Sequence, residues 1–321
     1  MKARRLQRGA ALLAAMLMVA LVATLSAAGL WQQWRSVVVE SAERARMQAS
    51  WILTGALDWA RLILREDARS GGADHLSEPW AVPLEEARLS TFLAGDRSAD
   101  LSGTTSEEAF LSGEIEDMQA RLNVNALLDG GNISVNGMAA FQRLFEVLGL
   151  PTSELEQMAD NLRQAMQPAA PGGDGSALAP LAPQSPDQLI WLGLSPATLA
   201  ALRPHVTVLP VRTPVNINTA GLPVLQAALP GITLADAQLL VARRSASPFR
   251  TLADAARIIP SREQALGSGL AAVASRFFEI RGRLRLGETT VEERSLVQRD
   301  GLQVRTLQRD RSVIQQAQPA R

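Results

Sequence analysis

Few residues in this chain could do chemistry. Histidine occurs twice, as His75 and His205, and cysteine and tyrosine are absent. Thiol nucleophiles, disulfides and thiolate-ligated zinc are therefore excluded, and little is left for general acid–base work. His75 lies in a short loop after Gly71-Gly72 and His205 follows Pro204, so each reads as a surface or capping side chain rather than a ligand. Asp96 with Asp100 and Glu107 with Glu108 are the nearest thing to catalytic carboxylate pairs, and their polar surroundings read as a solvated loop. Hard oxygen ligands gather at Glu114, Glu116 and Asp117 and at Glu288, Glu292 and Glu293. They make calcium the one candidate ion, without an EF-hand loop to hold it. No GxSxG elbow, P-loop, HExxH or CxxC motif occurs. The expectation is a chain that is not an enzyme and carries no cofactor.

The elements around these residues say more. Of 321 residues, 47% are apolar and 20% charged, which excludes bulk disorder. The 32 basic and 32 acidic side chains cancel, against a protein whose main work is neutralising phosphates. Lys2, Arg4, Arg5 and Arg8 form a basic leader ending at Gly9, and no charge follows from Ala10 to Trp34. The 22 residues Ala10–Trp31 would span about 33 Å as a helix, close to the hydrocarbon thickness of a bilayer. The basic flank predicts a cytoplasmic N-terminus and a single pass. Three fates fit this segment: an uncleaved signal anchor, a secretory signal cleaved beyond Ser26-Ala27-Ala28, and removal of the leader after Gly9 with the helix retained.

The continuation favours the third. Val38, Ala42, Ala45, Ala49, Ile52, Ala56, Trp59 and Ile63 recur at alternating spacings of four and three, an apolar helical stripe. Arg35, Glu40, Glu43, Arg44 and Arg46 lie off it, and no proline precedes Pro79. One helix is predicted from about Ala10 to Arg69, its first half in lipid and its second half packed on a soluble domain.

The middle of the chain contains a repeat. Asn123-Val124-Asn125 is followed by a helix–turn–helix pattern over 141–162, and Asn216-Ile217-Asn218 by another over 223–244. The turns are Gly149-Leu150-Pro151 and Pro230-Gly231-Ile232, with Thr152-Ser153 and Thr233 placed to cap the second helices. Pro168–Pro186 reads as a mobile Pro/Ala/Gly-rich loop, and short helices are predicted over 186–192 and 195–203. The second copy is similar to the helix-hairpin-helix module of competence-type DNA receptors, with Arg243 and Arg244 as the residues that could meet phosphate. After Arg276 the periodicity changes to two. Phe278, Ile280, Gly282, Leu284 and Leu286 share one face, Thr289–Gln298 alternates again, and Asp300-Gly301 signals a hairpin into a strand over 302–306. Residues 309–321 are expected to fray. An earlier strand is predicted within 113–125, so the helical repeats interrupt an α+β domain.

A basic leader ending in glycine, followed by a retained apolar helix, resembles the type IV prepilin and pseudopilin pattern. Where that family usually has Phe this chain has Ala10, and where most members have Glu it has Ala14. With the duplicated Asn-X-Asn hairpins and the C-terminal strands, the resemblance narrows to the GspK (general secretion pathway protein K) family of type II secretion, over nearly the whole chain. It implies a pseudopilin fold, a long helix on a small antiparallel sheet, with an inserted all-α domain of two helical-hairpin (SAM-like) repeats. The division expected is a leader over 1–9, a membrane half-helix over 10–34, a periplasmic helix and first part of the pilin-like domain over 35–122, an inserted helical domain over 123–272, C-terminal strands over 273–308 and a tail over 309–321. The resemblance also implies cleavage by prepilin peptidase between Gly9 and Ala10, N-methylation of Ala10, and a periplasmic domain on a single-pass inner-membrane anchor. Its implied partners are GspI and GspJ, with GspH, the major pseudopilin, the inner-membrane secretion platform and the exported proteins as further candidates. The function implied is that of a minor pseudopilin at the tip of the periplasmic pseudopilus, starting its assembly. No nucleic acid is expected. A membrane-tethered DNA receptor and a secreted binding protein are the alternatives in other classes.

Overall fold

Between Gln7 and Ser70 the chain has no proline, and its apolar and then amphipathic composition supports one continuous 64-residue helix, α1. Gly71 and Gly72, with φ of 67° and 124°, end it in backbone conformations that L side chains rarely adopt. The computed structural model describes residues 7–89, 109–167, 180–260, 263–267, 269–287 and 289–315. Residues 1–6, both carboxylate pairs at 96–108, most of the Pro/Ala/Gly-rich loop and Glu288 lie outside them. The chain divides into two units, residues 1–55 and 56–321. The first consists of the apolar stretch of α1 and the start of its amphipathic stretch.

In the second unit five strands form an antiparallel meander: β1 (Leu84–Arg88), β2 (Ala109–Asp117), β3 (Phe277–Leu286), β4 (Thr289–Asp300) and β5 (Gln303–Gln315), each hydrogen-bonded to the next. Gly113 of β2 stands opposite Gly282 of β3, and a Cβ at Gly113 would come within 2.9 Å of the Arg281 carbonyl. The β4–β5 hairpin closes on Gly301-Leu302, with Asp300 paired to Gln303 and Gly301 at φ 56°, as a turn with glycine at its first central position requires. Two strand expectations need correction. The early strand ends at Asp117 instead of running toward Asn125, because Asp117 caps a 3₁₀ turn over Met118–Ala120. The last strand continues through Arg309 to Gln315, where fraying was expected, because β4 back to Thr289 supplies a partner for each of its residues except Leu307, where the register shifts. Strand β1 carries no alternation that would have revealed it.

The part of α1 that belongs to the second unit covers one face of this sheet. Leu57, Ala60 and Leu64 pack with Trp80, Phe278, Ile280, Val297 and Val304, and Trp80 meets Phe278 edge-on at a centroid distance of 5.2 Å. The buried face lies one residue along from the predicted stripe. Ala56 and Ile63 are half-buried and Trp59 is 49% exposed, while Val38 and Ala42 are exposed, Ala45 and Ile52 half-buried and Ala49 buried. A spacing of 3.5 drifts by about 20° per heptad on a straight helix, so a stripe begun at Val38 has rotated to the edge of the face by Trp59. The leucines then occupy its centre.

Residues 118–276 interrupt the meander between β2 and β3 with a separate hydrophobic core. Helix α2 (Val135–Leu148) is capped by Ser134 and stops at Gly149, φ 67°; α3 (Thr152–Met166) follows after Leu150-Pro151. Pro151, and not Thr152, is the residue before α3, and no side chain caps it. Helix α4 (Pro196–Leu202) is capped by Ser195. Helices α5 (Leu222–Ala228) and α6 (Leu234–Ala246) form the second hairpin, α6 with a full capping box of Thr233 and Asp236, and α7 (Leu252–Ile258) and α8 (Glu263–Leu266) complete the insertion. The first helices of the two hairpins, α2 and α5, pack on each other, tied by Arg143, whose Nε donates to the Ala227 carbonyl at 2.8 Å. At the start of α2, Gly137 lies against the turn Val124–Leu127 so closely that a Cβ would fall 1.9 Å from the Ala126 carbonyl oxygen.

Candidate functional site

The membrane-directed end of the chain is simple. Helix α1 contains a candidate span whose most apolar window has a mean hydropathy of 2.3. Thr24 satisfies its hydroxyl on the Leu21 carbonyl at 2.9 Å, the internal solution a lipid environment demands. Trp31 and Trp34 close the apolar run with ring centroids 5.5 Å apart, a pair suited to a membrane–water interface just before Arg35. Gly9 and Ala10 lie within α1, and Ala10 and Ala14 are exposed.

The other functional feature is the junction between the sheet and the helical insertion. Each Asn-X-Asn segment makes a two-residue parallel ladder before its helices, Leu122–Asn123 with Val206–Thr207 and Val215–Asn216 with Ala271–Ala272. In each, the first asparagine accepts from the backbone N–H of the second, at 3.1 Å in Asn123–Asn125 and 3.0 Å in Asn216–Asn218. Asn218 exchanges two hydrogen bonds with the Phe249 backbone, and Asn125 donates to the Leu209 carbonyl. The asparagines thus tie each hairpin to the segment that follows it.

Asn216 does more. Its amide donates to Asp117 Oδ2 at 3.0 Å, to the Asp74 carbonyl at 3.1 Å and to Ser275 Oγ at 3.0 Å. Asp117, at the end of β2, also accepts from Thr219 Oγ1 and Ser275 Oγ, both at 2.6 Å, and from the Gln119 N–H at 2.8 Å. Burial pushes its carboxyl above the usual carboxylate range, and these four donors pull the other way. Asp74 takes the Ser275 N–H at 2.6 Å and pairs with Arg299 of β4, which also holds Asp67 of α1 at 2.6 Å and donates to the Ser275 carbonyl at 2.9 Å. One polar network therefore joins the end of α1, the loop after it, β2, β4 and the helical insertion. Sequence reasoning found Asp117 and Asn216 but missed Asp67, Asp74, Ser275 and Arg299. Long-range pairing, not local spacing, brings these four together.

Most of the carboxylates singled out as hard oxygen ligands are paired with arginines. Glu114 pairs with Arg281, and Glu116 with Arg121 at 2.6 Å. Glu292 lies between Arg283 and Arg294 at 2.8 and 2.7 Å. Glu293 lies between Arg309 and Arg311. Asp117, the other described member of these groups, accepts only from neutral donors. For Glu292, burial raises the pKa, but the hydrogen bonds and charges of Arg283 and Arg294 together carry it below the ordinary value. His75 accepts the Ser77 N–H through Nδ1 at 3.3 Å. His205 is held low by burial and by the charge of Arg121. Of the two arginines that could have met phosphate, Arg244 is turned inward onto the Ile217 carbonyl at 2.5 Å. Arg243 is exposed.

An N-terminal helix apolar enough to cross a membrane, followed by an antiparallel meander with a large helical insertion, is the make-up of an anchored, pilin-like protein. Comparison with known proteins agrees. Two family models, both described as type II secretion system protein K, match residues 120–211 and 215–277. Type II secretion system protein K of Pseudomonas aeruginosa is 28% identical over 330 residues, covering 96% of this chain and 93% of that one. The Pectobacterium carotovorum subsp. carotovorum protein of the same name is 26% identical, covering 95% and 97%. The crystal structure of the GspK–GspI–GspJ complex from enterotoxigenic Escherichia coli contains a chain of the same fold, with a TM-score of 0.64 at 18% identity, covering 84% of this chain and 98% of that one. The chain belongs to the type II secretion system protein K family, the GspK minor pseudopilins, components of a secretion machine.

Proposed function

We propose that this chain caps the tip of the periplasmic pseudopilus, in a complex with GspI and GspJ, and starts its assembly. The observation that carries the proposal is the helical insertion between β2 and β3, whose hydrophobic core holds more buried residues than the one under the sheet it interrupts. Subunits in the body of a helical fibre pack their N-terminal helices side by side, and a bulky insertion is tolerated where no further subunit sits above it. The neighbour whose fold this chain shares was solved in a GspK–GspI–GspJ complex, which supports the same partners here. Ala14 supports the placement by electrostatics. A carboxylate at that position would neutralise a neighbour's N-terminal amine in lipid, where an unpaired charge is costly, and a terminal subunit has no such amine to meet.

The same reading has prepilin peptidase cut between Gly9 and Ala10 and the new terminus at Ala10 methylated. The anchor then crosses the inner membrane once, with its start in the cytoplasm and residues from Arg35 onward in the periplasm. The basic leader and the continuity of α1 past Ser26-Ala27-Ala28 support this fate. The chain works by contact and position, without catalysis, and the push of the growing fibre moves folded proteins through the outer-membrane channel.

Co-purification tests the proposal. Tagged full-length chain extracted from membranes in mild detergent should bring down GspI and GspJ from the same cell in a defined complex. Its intact mass should begin at Ala10 with one added methyl group, and at Met1 when the peptidase is deleted. Recovery of the major pseudopilin alone, or a mature chain starting beyond Ala28, contradicts the reading.

A further inference from the structure

Asp67, Asp74 and Glu78 place carboxylate oxygens within 4.8 Å of one another at the point where α1 ends and the chain enters the sheet domain. Three carboxylates this close, one buried and two half-buried, repel one another and call for a compensating cation. Arg299 supplies it. Its side chain is 10% exposed, those of Asp67 and Asp74 are 12% and 3% exposed, and its two terminal nitrogens go one to each aspartate. The guanidinium carbon lies 4.8 Å from the centre of the Phe278 ring, and its remaining hydrogen bond goes to the Ser275 carbonyl. Two further carboxylate oxygens are hydrogen-bonded. Asp74 Oδ2 takes the Ser275 N–H, and Glu78 Oε2 takes the His75 N–H at 2.8 Å and Trp80 Nε1 at 2.7 Å.

We propose that Arg299 is a built-in counter-cation: its guanidinium occupies the position a divalent ion would take between Asp67, Asp74 and Glu78, and so closes this carboxylate cluster to calcium. A metal ion entering the cluster would meet a fixed positive charge in hydrogen-bond contact with two of its three ligands. It would also find too few free oxygens to complete six- to eightfold coordination. The consequence is a domain junction whose geometry does not depend on the cation content of its compartment. Loss of the guanidinium reverses the situation and leaves a buried acidic cluster open to a hard cation.

Trp80 makes the cluster readable, because its indole N–H touches Glu78. Terbium bound there would be sensitised by Trp80, and replacing Trp80 by phenylalanine isolates that signal from the other tryptophans. The full chain in non-ionic detergent is titrated with terbium at neutral pH, with tryptophan excitation. The wild type should give no emission that depends on Trp80. Arg299→Ala should gain a Trp80-dependent emission that calcium competes away, and Arg299→Lys, which keeps a cation at the site, should not. Arg299→Gln, which retains hydrogen-bond donors without the charge, should behave as Arg299→Ala and serves if the alanine variant does not fold. Trp80-dependent, calcium-competed emission from the wild type overturns the proposal, as does its absence from a folded variant lacking the charge.

Discussion

Replacing Asp117 by alanine should loosen the helical insertion from the sheet without melting the insertion itself. The carboxylate accepts four buried hydrogen bonds, from the Gln119 N–H, Asn216 Nδ2, Thr219 Oγ1 and Ser275 Oγ. Some donors have a second choice: Asn216 keeps the Asp74 carbonyl and Ser275 Oγ, and Thr219 can turn to the Asn216 carbonyl at 3.4 Å. About two donors are left unpaired, at about 1–3 kcal/mol each. Removing a carboxylate whose ionised form is disfavoured by burial returns part of that, about 1.4 kcal/mol for each pKa unit. The expected net loss is about 2–4 kcal/mol. Glu116, one residue away, pairs with Arg121 where the side chains are 34% and 26% exposed, so Glu116→Ala should cost less than about 1 kcal/mol. Urea unfolding of the full chain in detergent, followed by circular dichroism, gives the comparison. Hydrogen exchange should show protection lost at 117–119, 216–219 and 275, while α2 and α3 stay protected. If Asp117→Ala is no more destabilising than Glu116→Ala, or if protection falls uniformly, the network does not orient the insertion and the reasoning fails.

Other perturbations follow from the same geometry. Leu64→Ala should destabilise by about 2–5 kcal/mol, because Leu64 is fully buried against the sheet, and Ile63→Ala by clearly less; thermal melts of the two variants decide which face of α1 carries the packing. Gly137→Ala forces a Cβ onto the Ala126 carbonyl and should cost at least about 1–3 kcal/mol, read as a lowered urea midpoint of the helical insertion. Glu292 has a lowered pKa in the fold, so it contributes stability above its unfolded value that is lost as pH falls through the folded value. Glu292→Gln should therefore be less stable than wild type at neutral pH, with the difference vanishing in acid, as stability measured across that range would show.

Much of this architecture was legible because it is local. The absence of proline before Pro79, the run of uncharged residues from Ala10 and the change to period two after Arg276 describe α1 and β3–β4 directly. The duplicated Asn-X-Asn signal was legible for a physical reason too, since each first asparagine bonds the backbone two residues on. The rest depends on distant partners. Strand β1 is a short edge strand whose burial pattern does not alternate, and only β2 reveals it. The last strand reads as polar and frayed until β4 is seen to pair with it up to Gln315. The α1 stripe was right in period and displaced by one position, because sequence spacing does not say where on a drifting stripe the sheet will sit. The junction network escaped for the same reason: Asp74 and Arg299 are unremarkable polar residues until the fold closes them together.

Where this subunit sits in the fibre can be observed directly. Pseudopili assembled with an epitope-tagged version of the full chain, at its native level relative to the other subunits, can be gold-labelled and viewed by electron microscopy. Label confined to one end of each fibre is the predicted result. Label spaced along the length, or fibres that assemble at the normal number and carry none, would contradict the tip assignment.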